Sequence, residues 1–280
     1  MNDTIEKRAD LTPGDLERAQ QDLMIEANLG KIGRKILVMS GKGGVGKSTV
    51  ASYFGLLLSS RGYKVGLLDV DLHGPSIPRL MNVQDGLDMA EQGVVRPYRY
   101  SDNLVIVSVE MVLGDKDYAI IWRGPLKISA IRQFVSDIEW GDLDFLIVDS
   151  PPGTGDEPLT IAQTIPDAEA LIITTPQEIS LADVRKSITF CRQVDMTIIG
   201  VVENMSSFIC PHCGEKFSVF GNGGGAKMAG QMDVPLLGEI PLDPNMVEMG
   251  DKGKLETLLG RSDLKINKAY NSIIERIVRD

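Results

Sequence analysis

Ile36-Leu37-Val38-Met39-Ser40 runs directly into Gly41-Lys42-Gly43-Gly44-Val45-Gly46-Lys47-Ser48, and residues 48–60 follow with the spacing of a helix. An apolar run, a glycine-rich turn and a helix in that order fit GxxxxGK[ST], the phosphate loop. Glycines let the backbone wrap close to an anion, and the amides at the helix N-terminus hold it. Lys47 is placed to reach the β- and γ-phosphates, and Ser48 to ligand Mg²⁺. A glycine turn that merely starts a helix would not need the lysine and serine that complete the motif.

Outward from this loop, short runs rich in Val, Ile and Leu alternate with helical stretches. The runs are Ile36–Met39, Val65–Leu68, Leu104–Val109, Phe145–Val148, Ala170–Thr174 and Thr197–Val202. They are nearly continuous, as strands buried on both faces are. Ser48–Ser60, Pro125–Asp137 and Leu181–Val194 read as helices between them. The expected fold class is α/β: a P-loop NTPase with a mostly parallel central sheet and helices on both faces. Ligands in such sheets lie beyond the carboxyl ends of the strands.

Residues 1–34 read as a polar lead-in with one helix, and residues 35–280 as a single ATPase domain carrying an insertion near 205–225. Thr12 is placed to cap the first helix, with Pro13 in its first turn, Asp15 three after the cap and Gly30 as a stop. Leu16, Ala19, Leu23 and Ala27 share one face, which is expected to dock on the chain's own domain. At the other end, Leu264–Val278 carries Ile266, Ala269, Ile273, Ile274 and Ile277 on one face, and reads as a second docking helix rather than a stable membrane anchor.

Composition narrows the class. With 29 basic and 39 acidic side chains the formal charge is −10, which disfavours nucleic acid as a partner. Three cysteines, Cys191, Cys210 and Cys213, are too few and too odd in number for a secreted disulfide scaffold. MNDTIEKRAD lacks the pattern of a signal peptide and no apolar run approaches membrane-spanning length, so a cytoplasmic location is expected.

Two further strand ends carry carboxylates. Asp69-Val70-Asp71-Leu72-His73 closes the second run. Asp71 is the favoured residue to orient or deprotonate an attacking water, whereas Asp69 suits a capping role in the following switch segment; His73 reads as a loop residue. Phe145-Leu146-Ile147-Val148-Asp149 is a Walker B pattern, with Asp149 expected to hold Mg²⁺ through water. Asp71 and Ser48 complete the expected magnesium set. Pro151-Pro152-Gly153-Thr154-Gly155-Asp156 has a stiff start and glycine hinges, as a switch loop sensing a γ-phosphate needs. Arg123, in Trp122-Arg123-Gly124-Pro125, is equally consistent with a phosphate contact and with a surface position.

Cys210-Pro211-His212-Cys213 places two thiolates where one soft metal centre can take both, either Zn²⁺ or an iron–sulfur cluster. A thioredoxin-like redox pair belongs at a helix start in a small βαβ domain, which this is not. A closed zinc site or a cuboidal cluster takes four protein ligands. Cys191 falls on a stripe with Leu181, Val184 and Ile188 and reads as a buried core residue. His212 adds at most one donor, so a single chain leaves the site incomplete.

GKGGVGKS resembles the deviant Walker A loop of the MinD, ParA and nitrogenase iron protein group. The resemblance implies ATP at the interface of a homodimer, with Lys42 donating charge to the partner's nucleotide and acting beside Lys47 and Asp71 in catalysis. It also implies nucleotide contacts along Gly41, Lys42, Gly43, Gly44, Val45, Gly46, Lys47, Ser48 and Thr49. Asn204 would contact the adenine, and the Gly238–Asp243 segment, with Pro241 and Asp243, would close over the base. Two ligands from each of two copies then make four.

The ordered set GKGGVGKS, IWRGP, DSPPGTGDE, TTPQEISLADVRK, ENMSSFICPHCGEKFSVFG and LLGEIPLDP, over roughly residues 33–260, resembles the Mrp/ApbC family of iron–sulfur cluster carrier ATPases. That resemblance implies ATP hydrolysis, a [4Fe–4S] cluster held between subunits by Cys210 and Cys213, a cluster donor and recipient apoproteins, with zinc possible in the isolated protein. The four-cysteine N-terminal cluster of some eukaryotic relatives has no counterpart, and 34 residues are too few for the extra N-terminal domain of many bacterial ones.

Overall fold

In the computed structural model of the chain, residues 13–279 are described, apart from 73, 85, 90–93, 114–123 and 211. Thr12, His73, Pro211, Trp122 and Arg123 lie outside the described residues. The chain enters through α1 (Pro13–Leu29), β1 (Ile32–Ser40) and α2 (Lys47–Ser60). There follow β2 (Val65–Asp69), α3 (Ile77–Leu80), a small pair β3 (Asp88–Met89) and β4 (Val95–Arg96), then β5 (Tyr98–Ser101) and β6 (Leu104–Ser108). Next come α4 (Val109–Leu113), α5 (Gly124–Asp137), β7 (Leu143–Asp149), α6 (Asp156–Thr164), β8 (Glu169–Thr174) and α7 (Glu178–Gln193). The last part holds β9 (Ile198–Ile209), β10 (Lys216–Phe217), α8 (Gly224–Gln231), β11 (Leu236–Leu242), α9 (Pro244–Asp251), a 3₁₀ turn (Leu255–Leu258) and α10 (Lys265–Arg279).

Among the described residues the main sheet has nine strands, in the order β10-β9-β8-β1-β7-β2-β6-β5, with β11 also paired to β9. Within this sheet the β5–β6 and β9–β10 pairings are antiparallel and the others parallel, and the separate β3–β4 pair is antiparallel too. The six expected runs all form strands. Their continuous hydrophobicity has the expected cause: alternate residues of β1 serve opposite cores. Ile36 and Val38 pack with Val50 and Phe54 of α2 and with Ile273 of α10. Leu37 and Met39 pack with Ile131 of α5, Ile161 of α6 and Val184 of α7.

The C-terminal helix docks as expected, burying Ile266, Tyr270, Ile273, Ile274 and Ile277. Tyr270 stacks edge-on against Tyr53 and Phe54 of α2. The helix thus has no free apolar face to lay on a bilayer, and no described helix is long and apolar enough to cross one.

Two expectations are corrected. Helix α1 does not dock through Leu16, Ala19, Leu23 and Ala27, which are exposed. It is anchored through Ile25 and Leu29, on the opposite side, against the α5 core. Both sets satisfy helical spacing, and only contact with the sheet's flank decides between them. Secondly, the strand expected to stop at Val202 continues to Ile209, and Leu236–Leu242, read as part of a closing loop, is a parallel strand beside it. Phe208 is matched by Leu242 in β11 and by Phe217 in β10, so the far end of β9 is flanked on both sides.

Candidate nucleotide and metal site

All the strand-end motifs meet at one edge of the sheet, as the parallel topology requires. Gly44 and Gly46 have φ of +79° and +81°, which the loop between β1 and α2 needs and only glycine adopts freely. Gly41 must also be small, since a Cβ there would lie 2.5 Å from the Asp183 backbone of α7.

Lys47 is 6% exposed, and its ammonium donates to Asp149 Oδ1 at 2.6 Å. Asp149 ends β7 and is fully buried, and among the described residues its Oδ2 has no hydrogen-bond donor. Burial raises the Asp149 carboxyl above the ordinary range, against the pull of Lys47 and of the Ser48 hydroxyl. Asp69, its register partner in β2, is likewise fully buried. Burial and then the Asp149 charge push Asp69 up to about 8, against Lys47 and its backbone donors. One ammonium therefore serves two buried carboxylates. An orphaned carboxylate oxygen beside a serine hydroxyl is the hard-oxygen donor set that suits Mg²⁺.

The two carboxylates at the end of β2 make different contacts. Asp69 accepts from the N–H groups of Asp71, Ser76 and Ile77 and from the Ser108 hydroxyl, fixing the start of α3. Asp71 lies beyond the strand end, 8% exposed, and accepts from Gly74 N–H at 3.2 Å. In the loop after β7, Gly153 donates its N–H to Ser40 C=O at the end of β1 at 2.8 Å, and Thr154 and Gly155 are exposed. Asp156 is the first residue of α6 rather than a loop residue. Lys42 donates to Gln177 Oε1, before α7, at 3.4 Å.

Asn204, on β9 just past the end of β8, donates its amide to Val45 C=O at 2.8 Å and packs against Gly46. A cavity of about 160 Å³ opens there, lined among others by Gly46, Thr49, Asn204, Pro241 and Asp243. Three segments singled out in the sequence, the phosphate loop among them, thus share one cleft. Met205, Met246 and Tyr270 also line it. Their sequence signal was weak, because apolar side chains of this kind more often serve a core. A larger cavity of about 390 Å³ between α1, α5 and α6 lies near Lys35 at the other end of β1, away from these groups.

The cysteine pair sits where β9 runs on. At about 3.3 Å per residue, the six residues from Asn204 to Cys210 separate the pair from Asn204 by at most about 20 Å along β9. The turn is closed by Gly214 N–H to Cys210 C=O and by Cys210 N–H to Glu215 C=O, both 2.9 Å. The N–H groups of Cys213 and His212 hold the Cys210 thiol below its ordinary range, which favours the thiolate that ligates metal. Cys213 and His212 are exposed. Among the described residues no group of three or more His, Cys, Asp or Glu is placed to hold a metal ion. Cys191 is fully buried against Met39, and burial pushes its thiol up to about 12, so it is a core residue.

One functional candidate was missed. Glu203 is 1% exposed, and its carboxylate accepts the N–H of Gly225. The signal was present, since an acid inside the apolar run Val201-Val202-Glu203 needs a partner.

A parallel sheet with this loop, this lysine–aspartate pair and this cleft defines a P-loop NTPase. A family model described as the ParA group's NUBPL iron-transfer P-loop NTPase matches residues 31–278. The chain is 47% identical over 261 residues to an iron-sulfur cluster carrier protein of Methanocaldococcus jannaschii, covering 93% of this chain and 89% of that one. It is 48% identical over 229 residues to a cytosolic Fe-S cluster assembly factor NUBP2 homolog of Dictyostelium discoideum, covering 80% and 86%. Among solved structures, a nucleotide-binding protein of Archaeoglobus fulgidus in complex with ADP, with cobalt found, superposes with a TM-score of 0.74 at 38% identity over 84% of this chain and 92% of that one. The chain belongs to the iron-transfer P-loop NTPase family.

Proposed function

We propose that the chain is an ATP-hydrolysing iron–sulfur cluster carrier. Two copies hold one [4Fe–4S] cluster through Cys210 and Cys213 of each, receive it from a cluster donor and pass it to apoproteins in the cytoplasm. The observation that carries this reading is a single strand, β9, with Asn204 against the phosphate loop at one point and the Cys210–Cys213 turn at its projecting end. Among the described residues the turn offers two thiolates and no third cysteine, and a four-thiolate centre is completed when a second copy supplies two more. The names of the Methanocaldococcus and Dictyostelium relatives support the cargo and the compartment.

In this reading the amides of Gly41–Thr49 and the Lys47 ammonium hold the β- and γ-phosphates. Ser48 and Asp149, with Asp71, would hold Mg²⁺, which neutralises phosphate charge and would relieve the crowding of the two buried carboxylates. Asp71 orients the attacking water, and Lys42 of the second copy stabilises charge on the transferring phosphoryl group. Asn204, Pro241 and Asp243 receive the base. Gly153–Asp156 and the segment held by Asp69 respond to the γ-phosphate. Residues 35–280 then act as one ATPase domain, with 1–34 as its lead-in.

Anaerobic reconstitution with iron and sulfide tests the reading. A brown chromophore with equal iron and sulfide, lost on exchanging Cys210 and Cys213 for Ala, is the expected result. Tightly held zinc with no chromophore would replace the carrier by a dimer with a structural metal.

A further inference from the structure

Glu203 stands in a strand covered on both faces, where an unpaired carboxylate is costly. Its partner is the N–H of Gly225, 22 residues later, in the first turn of α8. A Cβ at Gly225 would lie 2.5 Å from Glu203 Oε2, so a side chain there would push the carboxylate out of its place. The two residues bracket the whole excursion that carries Cys210 and Cys213. The chain returns to Gly225 through Gly221 and Gly223, both in the left-handed region at φ +103° and +67°. The next residue along β9, Asn204, bonds Val45 of the phosphate loop. Met205, one further, has φ +55°, rare for a side-chain-bearing residue, and lines the cleft beside that loop.

We propose that Glu203 is a positioning residue for the cysteine pair: its carboxylate latches the base of the Cys210–Cys213 excursion, so the pair's geometry is set from the nucleotide end of β9. The inference rests on the carrier reading and names the side chain that carries mechanical continuity between its two sites. Without the latch, the return of the excursion loses the hydrogen bond that ties it to β9, and more of the pair's ordering falls on the moment it takes a metal.

Cobalt titration of the reduced, full-length protein tests this, using the thiolate-to-cobalt absorption as the readout. Glu203→Ala and, independently, Gly225→Ala are expected to weaken cobalt binding about 10-fold or more, the range for losing a group that orients metal ligands. Glu203→Gln keeps an acceptor oxygen for Gly225 N–H and is expected to stay near wild type, a rescue that a general packing defect would not give. If Glu203→Ala does not fold, the contrast between Gly225→Ala and Glu203→Gln decides. Wild-type cobalt affinity in the alanine variants, or equal weakening in Glu203→Gln, overturns the latch and leaves the carrier reading standing. A wild-type cobalt signal that survives exchange of both cysteines overturns the carrier reading, and the latch with it.

Discussion

Replacing Lys47 by Ala removes the phosphate-binding ammonium and the counter-charge of two buried carboxylates together. The Lys47–Asp149 contact is 2.6 Å, with the side chains 6% and 0% exposed, so solvent screens it little. At an effective dielectric of about 20 the attraction is about 6 kcal/mol, offset in part by desolvating the lysine. Removing one partner of such a pair leaves an uncompensated charge and costs about 3–5 kcal/mol. The cost must depend on pH in a known direction. Asp149 and Asp69 already lie above the ordinary carboxylate range, and both rise further without the ammonium. A carboxyl that is raised in the folded state keeps its stability below the unfolded value of about 3.9 and loses it as pH climbs toward the folded value. Urea unfolding followed by circular dichroism should therefore show a larger deficit for Lys47→Ala near pH 8 than near pH 5. Adding Asp149→Asn should return a substantial part of the loss, because it removes the stranded charge. An equal deficit at both pH values, with no recovery in the double variant, would refute the argument that Lys47 is the counter-ion of this cluster.

Asp69→Asn should flatten the pH dependence of stability. Asp69 is raised to about 8, so its stabilising contribution is complete below about pH 4 and drains away as pH approaches 8; urea midpoints across that window with the wild-type slope would contradict this. For α1, Leu23→Ser at a 66% exposed position should change stability by less than about 0.5 kcal/mol, and Ile25→Ala by about 2 kcal/mol or more, in the same unfolding assay. Gly46→Ala should abolish measurable ADP binding by calorimetry. It places a side chain at φ +81° with its Cβ 2.4 Å from the Asn204 amide, so wild-type affinity would refute the placement of Asn204 against the loop.

What the sequence made legible follows from where its constraints are local. The phosphate loop is specified by eight consecutive residues, and Asp149 by the apolar run before it, so both stand at the predicted strand ends. The capping role of Asp69 was also readable, because an acid at a strand end followed by a short helix has such a role available. The length of β9 was not readable, because Glu203, Asn204, Ser206 and Ser207 interrupt its apolar pattern. Glu203, Asn204 and Ser206 are held by tertiary partners, Gly225, Val45 and Ile240, that no local window contains. The docking face of α1 was misplaced for a related reason. Leu16, Ala19, Leu23 and Ala27 make a longer stripe at helical spacing than Ile25 and Leu29, yet only the second pair reaches the sheet's flank. Glu203 shows the converse: an acid in a buried strand announces a partner without saying which.

The central claim is that two copies share one cluster. Native mass spectrometry of the anaerobically reconstituted protein tests it most directly. The account predicts a species of two chains plus one [4Fe–4S] cluster that falls apart to cluster-free chains when Cys210 and Cys213 are exchanged for Ala. A single chain carrying its own cluster or a zinc ion, or a cluster-bearing dimer unaffected by the loss of both cysteines, would contradict it.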